Sequence, residues 1–141
     1  MRAVLDTSVL VAAVPSPSGA ASLLVNAVVA GDWKPLVSVP LVLEYEAVLT
    51  RPEHLAVSGF TREEAVGLVK AFCRMGEPIH IPHLLRPRLR DPDDEFVLET
   101  AFHGKADLIV TFNIRDFRLS AESLGIEAIT PREAVERMGR R

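Results

Sequence analysis

The sequence contains little cysteine, few aromatic residues and no long apolar run, and each shortage excludes a kind of structure. A single cysteine, Cys73, excludes an intramolecular disulfide framework. Aromatic residues make up only 6% of the chain, so we expect a core of Val, Leu, Ala and Ile. The longest apolar stretches, 9–14 and 20–30, are bounded or interrupted by polar residues, proline and glycine. They fall short of the roughly 20 apolar residues that cross a bilayer, so we expect no membrane span.

The chain also lacks an excess of positive charge, since its formal net charge is −3. Nucleic acids are bound largely through Lys and Arg that neutralise phosphates, so any RNA-binding surface must be local. Basic residues do cluster, in segments 86–90, 115–118 and 137–141. The apolar start has neither the basic leader nor the cleavage pattern of a signal peptide, and we expect a cytoplasmic protein.

Short apolar runs alternate with helical patterns along the 141 residues, which are enough for one domain spanning 1–141. The predicted strands are AVL (3–5), PLVSVP (35–40), PIHIP (78–82), ADLIVTF (106–112) and IEAIT (126–130). Parallel strands need crossover connections, which helices usually provide. The pattern therefore predicts an α/β fold, a three-layer α/β/α sandwich with a central parallel sheet of four or five strands.

Helix boundaries are marked unevenly. The clearest start is Thr61 followed by Glu64, the spacing of a capping box, with Gly76 placed to end that helix. TSVLVAAV (7–14) is predicted as a loop before a helical segment, SPSGAASLLVNAVVAGDW (16–33). Pro52 is predicted to end or bend the helix before it. NIRDF (113–117) is predicted as a polar turn before a short helix.

Acidic residues recur where strands end and helices begin. Asp6 ends the first strand, Glu44 lies near the start of the helix after PLVSVP, Asp94 opens the helix before the fourth strand, and Asp116 follows that strand. Taken singly, such residues are often helix caps, turn residues or exposed helix positions. In a parallel sheet all four reach the same edge, where mutually repelling carboxylates need a cation.

The predicted cation is Mg²⁺ or Mn²⁺, because these ions are bound by oxygen ligands. Zinc does not fit, since the lone Cys73 and the scattered histidines form no zinc-binding spacing. His80 and His83 are interpreted as ordinary surface or core histidines.

Four segments, LDTSVL, LVLEYEAVL, RDPDDEFVLETA and ADLIVTFNIRDF, occur in this order over nearly the whole chain. Together they resemble PIN-domain ribonucleases, in particular the VapC-like toxins of type II toxin–antitoxin systems. The resemblance implies a central parallel sheet, metal-dependent endoribonuclease activity, a homodimer and an antitoxin protein that blocks the site.

The resemblance also implies roles for particular positions. The implied catalytic residues are Asp6, Glu44, Asp94 and Asp116. The implied metal ligands are Asp6, Asp94 and Asp116, with Glu44 orienting a metal-bound water. Many members have Asp where this chain has Asn113, so the fourth acid is assigned to Asp116. The supporting residues are Thr7, Ser8, Asp91, Thr111 and Asn113. Proximity in sequence to these acids suggests four RNA-binding residues, Arg86, Arg88, Arg90 and Arg115.

Three other functions fit the sequence less well. A catalytically inactive PIN fold serving as a binding or scaffold module is disfavoured by the intact set of acids. A receiver-type phosphoacceptor would place Asp at the end of the third strand and Lys at the end of the fifth, and neither is present. A haloacid-dehalogenase-like phosphatase would have a second Asp where Ser8 stands.

Overall fold

The computed structural model describes residues 1–82 and 92–139, without the side chains of 92–94. The described elements are β1 (Ala3–Leu5), α1 (Thr7–Ala13), α2 (Ala20–Val29), β2 (Leu36–Val37), α3 (Val39–Leu49), α4 (Pro52–Ser58), α5 (Arg62–Arg74), β3 (Glu77–Pro78), α6 (Pro92–His103), β4 (Leu108–Val110), α7 (Ile114–Ser123), β5 (Glu127–Ile129) and α8 (Pro131–Gly139). Among these residues no helix is long and apolar enough to cross a membrane.

All described strand pairs are parallel. The main sheet has the order β1-β4-β5, and β2 pairs with β3 beside it. In this register Leu5 lies opposite Val110, so β1 and β4 end side by side. Helix α6 packs on β1 and β4, and α7 packs on β5. The predicted α/β fold is confirmed, with its strands divided into a sheet of three and a pair.

The core forms where the strands meet the helices. Val4, Leu5 and Ile109 are fully buried, as expected for strands covered on both faces. Tyr45 of α3 and Phe72 of α5 meet edge to face, with ring centroids 5.8 Å apart. This ring contact packs α3 against α5.

Side-chain caps fix several helix starts. The Ser38 hydroxyl accepts the Leu41 N–H at 3.4 Å and lies 2.6 Å from the Thr100 hydroxyl, which itself donates to the Phe96 carbonyl. Ser38 therefore donates to Thr100 and ties the start of α3 to α6. The capping box of Thr61 and Glu64 at the start of α5 is confirmed.

Local predictions were wrong at three places. Segment 7–13, predicted as loop, is helix α1, because Val9, Leu10 and Ala13 form one buried face. Residues 114–117, predicted as a turn, belong to α7, where Phe117 and Ala121 are buried one turn apart. The third strand is Glu77–Pro78, at the beginning of the predicted PIHIP segment rather than across it.

Candidate active site

The backbone of Asp6 is set by the sheet. Its N–H donates to the Val110 carbonyl at 2.9 Å, which extends the pairing of β1 and β4 by one bond. Its extended backbone, with φ −64° and ψ 148°, then opens α1. Asp6 is only 4% exposed, so its carboxylate is held at the junction between a buried strand and a helix.

The Asp6 carboxylate is held by short hydrogen bonds. Its Oδ2 accepts from the Ser8 hydroxyl and from the Thr111 hydroxyl, each at 2.7 Å. Burial raises the pKa of the Asp6 carboxyl, while the bonds from Ser8, Thr111 and the backbone N–H groups of Thr7 and Ser8 oppose that rise. A buried acid with a shifted pKa in a cleft is typical of functional sites.

Thr111 links the ends of three strands. It is fully buried directly after β4, and its N–H donates to the Ile129 carbonyl of β5 at 2.9 Å. Its hydroxyl donates to Asp6 and accepts the Asn113 N–H at 2.9 Å. The Asp6 carboxylate is therefore oriented by the sheet itself.

Helix α3 brings a second carboxylate to the same place. The Tyr45 hydroxyl donates to the Leu5 carbonyl at 2.6 Å, and burial raises the pKa of that hydroxyl, which keeps it protonated as a donor. Tyr45 follows Glu44 and Leu5 precedes Asp6, so this bond joins the neighbours of both acids. Glu44 and Asp6 line one cleft of about 340 Å³.

The cleft contains several of the residues predicted from sequence. Besides Asp6 and Glu44, the predicted residues in its lining are Thr7, Ser8 and Asn113. Thr111 contacts Asp6 through its hydrogen bond. Five predicted residues, Arg86, Arg88, Arg90, Asp91 and the side chain of Asp94, lie outside the described part of the structure. The backbone of Asp94 belongs to α6, which begins at Pro92.

Two predicted residues lie away from this lining. Asp116 is exposed in the first turn of α7, and the neighbouring Arg115 is exposed as well. The predicted turn is helical here, so both positions belong to the first turn of α7. Neither residue lines the cleft formed by Asp6 and Glu44.

Two further residues of the lining, Arg51 and His54, were missed from the sequence. They flank the start of α4, with Arg51 as its N-cap and Pro52 in its first turn. The signal that could have found them is Pro52 itself, because proline favours the first position of a new helix. Arg51 is exposed, and no carboxylate in the described part of the chain lies within ion-pair distance of it.

Most of the side-chain atoms in the cleft that could bind a metal ion are oxygens. Mg²⁺ is commonly held by one or two carboxylates together with water and substrate phosphates, and Asp6 and Glu44 fit that requirement. Within residues 1–82 and 95–139, no three acidic, histidine or cysteine side chains come close enough to hold a metal ion. A third acidic ligand would have to come from outside that set.

Comparison with protein-family models gives a match over most of the chain. The family model described as PIN domain matches residues 2–115, which include Asp6, Glu44, Asn113 and both residues at the start of α4. The match ends immediately before Asp116. No curated protein and no solved structure matches the chain significantly.

Proposed function

This chain belongs to the PIN domain family, whose members are generally nucleases, and from that premise we propose that it is a metal-dependent endoribonuclease. The observation that carries the proposal is the pairing of Asp6 and Glu44 in one cleft at the carboxyl end of β1. Asp6 is buried, and its carboxylate accepts hydrogen bonds from two hydroxyls. Burial raises its pKa, as expected of a catalytic carboxylate.

PIN domains typically use divalent metals, and here we propose Mg²⁺ or Mn²⁺ held by Asp6 and Asp94. Asp94 stays in this proposal because α6, which contains it, packs on both β1 and β4. Asp116 is retained only as a water-mediated ligand, since it is exposed and outside the cleft lining. When bound, a divalent ion lowers the pKa of a coordinated water and stabilises charge that develops on a phosphate.

The remaining residues of the cleft have separate tasks in this proposal. Glu44 orients the attacking water, whose oxygen forms a bond to phosphorus as the ester P–O bond breaks. Ser8 and Thr111 hold the Asp6 carboxylate in one orientation through their hydrogen bonds. Arg51 binds a phosphate of the RNA strand and offsets the negative charge of the two acids.

We also propose the finer assignment that the resemblance implies, a cytoplasmic toxin that forms a homodimer and is blocked by an antitoxin. An exposed apolar stripe on α3 supports a protein interface, since Val39, Leu43 and Ala47 recur every fourth residue and are all exposed. Light scattering of the purified chain should give the mass of a dimer. Co-expression with the adjacent reading frame should yield a complex that lacks ribonuclease activity.

The test of the nuclease proposal is RNA cleavage in Mg²⁺, Mn²⁺ or EDTA by the parent chain, Asp6→Asn and Glu44→Gln. The matched control is Asp32→Asn, an exposed acid outside the cleft. We expect cleavage by the parent and the control in metal only, and a loss in both cleft variants. A folded parent that cleaves no RNA would support the scaffold alternative, and full activity in Asp6→Asn would exclude the proposed site.

A further inference from the structure

The imidazole of His54 has a defined tautomer. Its Nδ1 lies 2.6 Å from the Val48 carbonyl oxygen, and a carbonyl can only accept a hydrogen bond. Nδ1 therefore bears the hydrogen and donates it to Val48. In the neutral ring, Nε2 is then left with a lone pair and acts as an acceptor.

The His54 side chain lies at a boundary between two environments. His54 is half-buried and lines the polar cleft together with Asp6 and Glu44. It also lines an adjoining apolar cavity of about 190 Å³, to which Val57 and Phe60 contribute. Within the described residues, Nε2 has no hydrogen-bond partner in the structure.

A ligand that fits this boundary offers a hydrogen-bond donor beside an apolar group. A ribonucleotide has both, because its 2′-hydroxyl is attached to the sugar that also bears the base. The carboxylates of Asp6 and Glu44 are acceptors like Nε2, so they cannot supply its hydrogen-bond donor. The 2′-hydroxyl is also the group by which proteins distinguish RNA from DNA.

We propose that His54 Nε2 accepts a hydrogen bond from the 2′-hydroxyl of the nucleotide in the cleft, whose base enters the apolar cavity. His54 is then the residue that selects RNA over DNA, an inference that rests on the proposed ribonuclease activity. A deoxynucleotide leaves Nε2 without its partner, and the loss of one such bond corresponds to a roughly 3- to 10-fold decrease in kcat/KM.

The test compares an RNA oligonucleotide that the parent cleaves with versions bearing a single 2′-deoxy substitution near the cleavage site. In the parent, one such substitution should lower kcat/KM by roughly 3- to 10-fold. In His54→Asn, the amide nitrogen replaces Nδ1 and keeps the bond to Val48 but offers nothing at the Nε2 position. This variant should cleave both substrates equally, and His54→Gln, whose amide oxygen reaches that position, should partly restore the difference.

The control is His80→Asn, an exposed histidine outside the cleft, which should keep the parental ratio. Equal cleavage of all substrates by the parent, or an unchanged ratio in His54→Asn, overturns the inference and leaves the nuclease proposal intact. If the parent cleaves no RNA, the nuclease proposal fails. The role of His54 is then tested by comparing the binding of single-stranded RNA with that of single-stranded DNA of the same sequence. Preference for RNA that is lost in His54→Asn supports the role of His54, and equal binding by the parent contradicts it.

Discussion

The hydroxyl of Thr111, one residue beyond β4, donates a 2.7 Å hydrogen bond to Oδ2 of Asp6, one residue beyond β1. The strands end in register, with Leu5 opposite Val110, so the next residue of each strand is brought to the same point. The distance between the two side chains therefore follows from parallel pairing. A change in that bond therefore acts directly on the candidate catalytic carboxylate.

Thr111→Val tests this bond, because valine keeps the shape of threonine and removes the donor. Loss of a bond that favours the charged carboxylate should raise the pKa of Asp6 further, since that bond now opposes the effect of burial. The acid limb of the pH–activity profile should move to higher pH, and activity should fall roughly 10- to 100-fold. Thr50→Val, whose hydroxyl bonds to its own helix, should leave the profile in place. An unshifted acid limb in Thr111→Val would contradict the argument.

Asp6→Asn should make stability less dependent on pH. The folded-state pKa of Asp6 is raised by burial, so ionising it costs more in the folded than in the unfolded chain. The protonated Asp6 carboxyl therefore stabilises the folded parent at low pH. This stabilisation is lost as the pH rises from about 3.8 through the folded-state pKa. The free energy of unfolding of Asp6→Asn, relative to the parent, should increase from pH 4 to pH 7 in urea titrations. A constant difference across that range would show that the carboxylate is not penalised by burial.

Local signals predicted those parts of the fold that depend on neighbours in sequence. The capping box of Thr61 and Glu64 marks α5 because both partners lie within one turn. Helix α1 was missed because seven mostly apolar residues have no strong helical pattern, and short helices are stabilised by packing. The beginning of α7 was predicted as a turn because the polar NIRDF segment masks Phe117, whose burial becomes visible only in the packing of α7.

The residues of the candidate site also divide into those that local signals predict and those that only tertiary packing brings together. Asp6, Glu44 and Asn113 were found because strand ends and the following helix starts share one sheet edge. Arg51 and His54 were not, because they reach the cleft only through the packing of α4 against α3, which no local pattern predicts. Arg86, Arg88 and Arg90 were chosen for their proximity in sequence to Asp91 and lie outside the described residues. The arginine in the described lining, Arg51, precedes α4.

Arg51→Ala should weaken RNA binding more than RNA turnover. The guanidinium lines the cleft, so its loss should raise KM more than it lowers kcat. Removing one phosphate contact should also reduce the slope of log affinity against log salt by about 0.7 for a single strand. Fluorescence anisotropy in EDTA measures this without cleavage, and Arg132→Ala supplies an exposed arginine outside the cleft as the control. Equal slopes of log affinity against log salt for Arg51→Ala and Arg132→Ala would contradict a contact between Arg51 and the RNA.

Two glycine variants test the packing behind the site. A Cβ on Gly104, just after α6, would lie 2.7 Å from Leu36 Cδ1 and 2.9 Å from the Thr100 carbonyl oxygen. The carbonyl belongs to the helix backbone and cannot move aside, so Gly104→Ala should destabilise the fold by about 1–3 kcal/mol. Gly67, inside α5, has nothing within 4 Å of the added atom, and Gly67→Ala should stabilise by about 0.4–1 kcal/mol. Urea unfolding of both variants tests this, because a Gly104→Ala variant that is at least as stable as the parent would show that Leu36 and the Thr100 carbonyl make room for the added atom.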